Sequence, residues 1–394
     1  MHVLRAERLV DGTGAPPVED GAVAVDGERI AFVGRFDDAR HHAGQGAEVV
    51  ELDGQTLLPG LVDGHSHASI IPGEGDQIGQ LMAPMHESRL RAVGSLRCDL
   101  ASGVTRIPVV AEEHFLDVAL KRAIEAGRIP GPRLWVSTRA IVSSHGHGAA
   151  LTLTDGVDAI RRRIRENVKA GADMIKVFAT GGVSSKHTSL DFHSYTDEEM
   201  QAAVDEAHRN GKRIGAHAIA GYGLRQCIEA GVDAVEHGSG ASDEDLARMV
   251  ERGTWLVSTQ SILYHEDGIE KVDGQVPEIR DKLLPARAQQ AENFKRILRS
   301  GVRYACGTDS VHGAMWFEMQ KLVEFGATPM QALCAATLRG AELIGIEAET
   351  GSLTAGKRAD VVAVRGNPLA RIEAVREVTL VMKDGRRCDG LSAF

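Results

Sequence analysis

Short, nearly unbroken apolar runs recur through the middle of the chain at 56–62, 104–110, 133–141, 174–178, 213–218, 234–236, 255–260 and 304–307. Runs of this length without alternation read as strands buried on both faces. Polar residues and helix-period segments lie between several of them, such as 197–210 with Thr196 as a candidate N-cap. Strands alternating with helices predict a parallel sheet, and eight such units over residues 56–350 predict a closed (β/α)8 (TIM) barrel. The ends of the chain differ in texture. Brief β-prone stretches at 3–9, 22–25, 30–33 and 49–52 are punctuated by Asp26-Gly27 and Asp53-Gly54, and 360–364 and 377–382 are followed by the turn 383–386. Neither end holds enough strands for a sheet with its own core. The expected fold class is therefore α/β, with the barrel accompanied by a small composite β-sandwich domain formed by residues 1–55 and 351–394.

Composition narrows the partners. Apolar residues make up 43% of the 394 positions, enough for a large core, and the net charge of −10 argues against a nucleic-acid or anionic-membrane partner. The one basic run, 161–165, falls in a helical pattern and reads as a solvated face. Five cysteines, odd in number and without Cys-x-x-Cys spacing, suit reduced thiols. No signal-type apolar region stands at the N-terminus, and no stretch approaches the ~20 apolar residues needed to span a bilayer. The expectation is a soluble, cytoplasmic protein whose partner is a small molecule.

In a (β/α)8 barrel the reacting groups stand at the C-terminal ends of the strands, and here those ends carry unusual residues. His65 and His67 follow the first run, and i and i+2 along a strand face the same way. The third run leads to His145-Gly146-His147-Gly148. Lys176 stands inside the fourth, His217 ends the fifth, His237 the sixth, and Asp309 follows the eighth. Imidazole is the commonest metal ligand among side chains. A lysine between Ile175 and Val177 loses hydration as an ammonium, so its pKa should fall. Such an amine can form a Schiff base or add CO₂ to become a carbamate able to bridge two cations. Beside four histidines and an aspartate, the carbamate makes more chemical sense.

With His65-x-His67, Lys176, His217, His237 and Asp309 in this order, the chain resembles the amidohydrolase superfamily. Lys176-Val-Phe-Ala-Thr-Gly-Gly, Gly146-His147-Gly148 and Asn293-Phe294 leading to Gly307-Thr308-Asp309 are similar to its imidazolonepropionase-like branch. That branch includes Xaa-Pro and Xaa-Arg dipeptidases and relatives that cleave N-acyl amino acids. The resemblance implies two divalent ions, zinc first, with cobalt or manganese as substitutes. It implies His65, His67 and Asp309 on one ion, His217 and His237 on the other, and a carboxylated Lys176 between them. A water shared by the ions would attack the amide, with Asp309 as general base and acid and His147 stabilising the carbonyl oxygen. A homo-oligomer is also implied.

Departures bear on substrate. Ala220 stands where dipeptidases of this branch often have a tyrosine, with Tyr222 two positions on, and His145 replaces a usual glycine. Together with Tyr264 and His187 on loops, Tyr222 and His145 are candidate substrate contacts. The leading expectation is hydrolysis of a small N-acyl amino acid, dipeptide or related amide. Alternatives are hydrolysis of cyclic amides, carbamates, esters or aryl phosphates by the same two-metal water, and a non-catalytic metal-binding protein.

Overall fold

The structure, a computed structural model, describes residues 1–394 except Gln45, Ala149, Asp389 and 391–394, so those last residues of the 351–394 segment lie outside the described residues. In chain order the strands are β1 (His2–Leu9), β2 (Val18–Asp26), β3 (Arg29–Arg35), β4 (Glu48–Pro59), β5 (Leu61–Val62), β6 (Val104–Val109), β7 (Arg133–Val136), β8 (Met174–Phe178), β9 (Arg213–Ala218), β10 (Ala234–His237), β11 (Trp255–Ser258), β12 (Tyr304–Cys306), β13 (Val361–Arg365), β14 (Val378–Lys383) and β15 (Arg386–Arg387). The fold is mixed α/β. Residue contacts divide the chain into one unit of Met1–Asp63, Arg97–Arg106 and Gly313–Phe394, and a second of Gly64–Leu96 and Ile107–His312.

The first unit is built on one seven-stranded sheet in the order β15-β14-β13-β4-β1-β2-β3. Both ends of the chain contribute to it. β4 joins them: it pairs in parallel with β1 and antiparallel with β13, Leu57 opposite Ala363. Strand alternation sends Leu4, Val23, Val25, Leu57 and Val361 to one apolar cluster, and Val3, Ala22 and Ala24 to another, where the helix Phe36–Ala43 adds Ala39. The sequence placed 56–62 in a single barrel strand. Instead Thr56–Pro59 complete β4, and after Gly60 only Leu61 and Val62 pair with the start of β6. What decides is the partner: residues 56–59 find the ladder offered by Val361–Val364.

The second unit carries the open parallel sheet β12-β11-β10-β9-β8. Backbone contacts extend beyond it: Ser66 bridges Val109, the Ser137 N–H donates to the Val109 carbonyl at 3.1 Å, and Ile141 bridges Val177. At the other edge Gly64 N–H donates to the Cys306 carbonyl at 2.7 Å. The regular ladder lapses where strands are short, so the third apolar run is a strand only to Val136. The helix expected after Thr196 runs over Asp197–Arg209. Thr196 Oγ1 accepts from the Glu199 N–H while the Glu199 carboxylate accepts from the Thr196 N–H, a capping box. Among the described residues no helix is long and apolar enough to cross a membrane.

Candidate metal centre and active-site cavity

Five imidazoles form an unbroken row in the second unit. Ring centroids are 5.3 Å apart for His65 and His67, 5.5 Å for His65 and His237, 4.6 Å for His237 and His217, and 4.5 Å for His217 and His147. Asp309 Oδ1 lies 3.2 Å from His65 Nε2 and 3.6 Å from His67 Nε2. Ligand atoms of His65, His237 and Asp309 all fall within 4.8 Å of one another, a grouping able to hold a cation.

Hydrogen bonds fix which nitrogens face the cluster. A carbonyl only accepts, so His67 Nδ1–H donates to Val110 O at 2.8 Å and His217 Nε2–H donates to Gly181 O at 3.0 Å. That leaves lone pairs on His67 Nε2 and His217 Nδ1, the arrangement by which outer contacts orient metal-binding imidazoles. His237 Nδ1 is 2.6 Å from Thr259 Oγ1. Burial lowers His67 to about 3 and His147 to about 4, and pushes His217 and His237 well below the ordinary imidazole value. Neutral imidazole is the form that binds metal. Burial alone would raise the Asp309 carboxyl, but the hydrogen bond from His65 overcomes it and holds the group well below the usual carboxylate range. Neutral nitrogens around a carboxylate fit a divalent cation.

Lys176, within β8, is fully buried, and burial lowers its ammonium to about 7. Its Nζ contacts Glu236 Oε2, and Glu236 Oε1 is 3.2 Å from His65 Nδ1. Sequence reasoning missed Glu236. The signal was present: an acid in the short apolar strand Ala234–His237 faces the same desolvation as Lys176 and needs partners. Gly215 on the neighbouring strand gives this carboxylate room, since a Cβ there would stand 3.0 Å from Glu236 Oε1. Gly182 does the same for His147, whose ring would lie 2.5 Å from an added Cβ.

The backbone is strained at the site. His237, Asp309 and Ser310 have φ of 71°, 49° and 72°, the left-handed region that non-glycine residues avoid. The strain is held by cross-links: the Asp309 N–H donates to the His65 carbonyl at 2.9 Å, and the His67 N–H to Ser310 Oγ at 3.1 Å.

The cluster forms the floor of a cavity of about 770 Å³, counting the part open to solvent. His65, His67, His147, Lys176, His217, His237 and Asp309 all line it. The four candidate substrate contacts stand outside its lining. His145 and His187 are exposed on their loops. The Tyr222 hydroxyl donates to the Asp197 carboxylate, and the Tyr264 hydroxyl donates to the Arg287 carbonyl at 2.6 Å. Local acceptors claim both phenols.

The Amidohydrolase family profile matches residues 56–388, most of the chain. The chain belongs to the amidohydrolase family. It is thus a hydrolase acting on C–N bonds. This amidohydrolase is 30% identical to the ochratoxinase of Aspergillus niger over 99% of its own length and 87% of the relative's. Among solved structures it is similar to a Xaa-Pro dipeptidase with methionine bound in the active site, at a TM-score of 0.89 and 30% identity, covering 99% of this chain and 100% of that one. The crystal structure of A. niger ochratoxinase superposes with a TM-score of 0.88 at 27% identity, over 100% of this chain and 98% of the other.

Proposed function

We propose that this amidohydrolase cleaves the amide bond of a small N-acyl amino acid, dipeptide or related amide, using two divalent metal ions bound at the cavity floor. The observation that carries the reading is the convergence of His65, His67, His217, His237, Lys176 and Asp309 on one cavity. His65, His67 and Asp309 would hold one ion, and His217 and His237 the other, with zinc as the first candidate and cobalt or manganese as substitutes. Lys176 would stand between them as a carbamate. Its neutral amine, abundant near pH 7 at its lowered pKa, forms an N–C bond to CO₂ and loses a proton. Divalent ions, when bound, supply an acidified water and polarise the scissile carbonyl.

The protein's own groups do the rest. Asp309 would take the water's proton and return it to the leaving nitrogen. His147, neutral at its lowered pKa, can donate one hydrogen bond to the carbonyl oxygen as negative charge grows there. Glu236, with Oε1 3.2 Å from His65 Nδ1, would orient that ring from its far side. The names of the similar proteins, an ochratoxinase and a Xaa-Pro dipeptidase, support a small substrate.

The same reading takes the strands β5–β12 as a closed eight-stranded barrel, beside a composite β-domain built on the seven-stranded sheet of both termini, in a cytoplasmic homo-oligomer. The test is turnover, read by mass spectrometry, of a mixed library of dipeptides, N-acyl amino acids, lactams, carbamates and aryl phosphates by the zinc-loaded protein, with Asp309→Asn as control. Cleavage of linear amides that the variant loses is the expected result. Cleavage confined to the other classes would overturn the amide assignment.

A further inference from the structure

Above its metal-binding floor the cavity changes character. Its wall is aliphatic, with Ile70, Ile78, Leu81, Ile219, Ile262 and Ile269 among the lining side chains. Among the described residues no arginine lines it, and its one lysine, Lys176, faces Glu236. The polar side chains outside the floor are uncharged: Gln77, Ser239, Thr259 and Gln290. Two of these are already engaged. Thr259 Oγ1 meets His237, and the Gln77 amide nitrogen reaches Asp273 Oδ2 at 3.5 Å.

Gln290 differs. It lies on the helix Pro277–Ser300, one turn beyond Ala286, which also lines the cavity. It is 1% exposed, and its Oε1 is buried with no hydrogen-bond partner. A buried amide oxygen left unpaired is costly and rare in folded proteins. Because the residue lines the cavity, a rotation of its side-chain amide would turn this oxygen to a molecule seated there, which would supply the missing donor.

We propose that the outer cavity is a subsite for the uncharged, apolar part of an amide substrate, selected by Gln290 through a neutral N–H or O–H of that molecule. The inference rests on the amide-hydrolase reading and narrows it. A carboxylate placed against this wall would lose its hydration with no cationic side chain of the wall to replace it, whereas an apolar group gains from burial. An amide side chain offers acceptor and donor without charge, so it reads a carboxamide or hydroxyl and gives nothing specific to a hydrocarbon. Sites built around such a group reject analogues that leave it unpaired.

The test compares N-benzoyl-phenylalaninamide with N-benzoyl-phenylalanine, identical at the scissile bond and different in charge. With the zinc-loaded protein, kcat/KM for the carboxamide should exceed that for the acid by roughly tenfold or more. Gln290→Met should lower the carboxamide's kcat/KM by roughly tenfold, through KM, and so shrink the ratio of carboxamide to acid. Equal turnover of the pair, preference for the acid, or a carboxamide KM that Gln290→Met does not move would overturn the proposal. The wild-type comparison stands whether or not the variant folds. Calorimetric binding of the same pair to metal-free protein separates the two claims. Preferential binding of the carboxamide without cleavage would sink the amide-hydrolase reading and keep the subsite, and cleavage without that preference would do the reverse.

Discussion

The terminal seven-stranded sheet and the parallel strands β8–β12 treat buried positions in opposite ways. In the terminal sheet both faces fill with aliphatic side chains, and the buried polar residue Thr56 donates its hydroxyl to the Gly366 carbonyl at 2.7 Å. In the parallel strands Lys176, His217 and Glu236 are each less than 5% exposed. His237, Asp309 and Ser310 at the strand ends also hold unfavourable backbone conformations. Where propensity, pattern and packing agree, a region is serving stability. Where they conflict and the conflict is held in place by hydrogen bonds, it is serving chemistry.

The sharpest way to break this contrast is to change one atom at a strand end. Asp309→Asn keeps shape and removes the charge, so turnover of the folded protein should fall by about 10³-fold or more, with some loss of thermal midpoint because the ionised carboxylate also stabilises the fold. Steady-state kinetics beside calorimetric melting checks it, and a variant that retains activity would remove Asp309 from the chemistry. The converse change is Leu57→Ala in the terminal sheet, where Leu57 is fully buried. It should cost about 2–5 kcal/mol in urea unfolding and leave kcat/KM of the folded fraction unaltered.

Acid should separate the regions next. His67 and His147 hold folded pKa values of about 3 and about 4 against 6.5 for a free imidazole. Between those values the unfolded chain binds protons that the folded one refuses, so stability is full above about pH 6.5 and declines as pH falls toward 4. At pH 5 the loss should be about 2 kcal/mol for each imidazole, seen in urea melts of metal-free protein at pH 7.5 and 5. The Leu57→Ala penalty should stay the same at both. A smaller change is expected from Glu236→Gln, which weakens the orientation of His65 and should lower metal affinity by about tenfold or somewhat more. Competition with a chelator would measure it, and unchanged affinity would reduce Glu236 to a partner of Lys176.

The sequence made the cavity floor legible as a group because a histidine, lysine or aspartate at the end of an apolar run conflicts with its surroundings. Glu236 was hidden by standing beside His237, which absorbed the same signal. The wall was not legible. Its isoleucines and leucines come from loops and from short helical turns such as Gln77–Leu81 and Ser261–Tyr264, where aliphatic residues look like ordinary core. Strand positions emerged well, as at Met174–Phe178 and Arg213–Ala218. Strand partners did not. Nothing local in 56–62 reveals that its first half pairs with Val361–Val364 and its last two residues with the start of β6. Nor does the one-letter code distinguish a phenol that donates to Asp197 or to a backbone carbonyl, as Tyr222 and Tyr264 do, from one facing a ligand.

The junction of β4 with β13 sets the timetable of biosynthesis. Thr56 and Gly366, whose hydrogen bond closes that seam, are 310 residues apart. At about 5–20 residues per second, a ribosome reaches the second roughly 15–60 seconds after the first. Throughout that interval one edge of β4 lacks its β13 neighbour, and an unpaired strand edge invites pairing with another nascent chain. Slow translation, or a stall before residue 361, should therefore favour aggregates seeded by the N-terminal strands. A short peptide copying Val361–Arg365 should compete for that edge and reduce them.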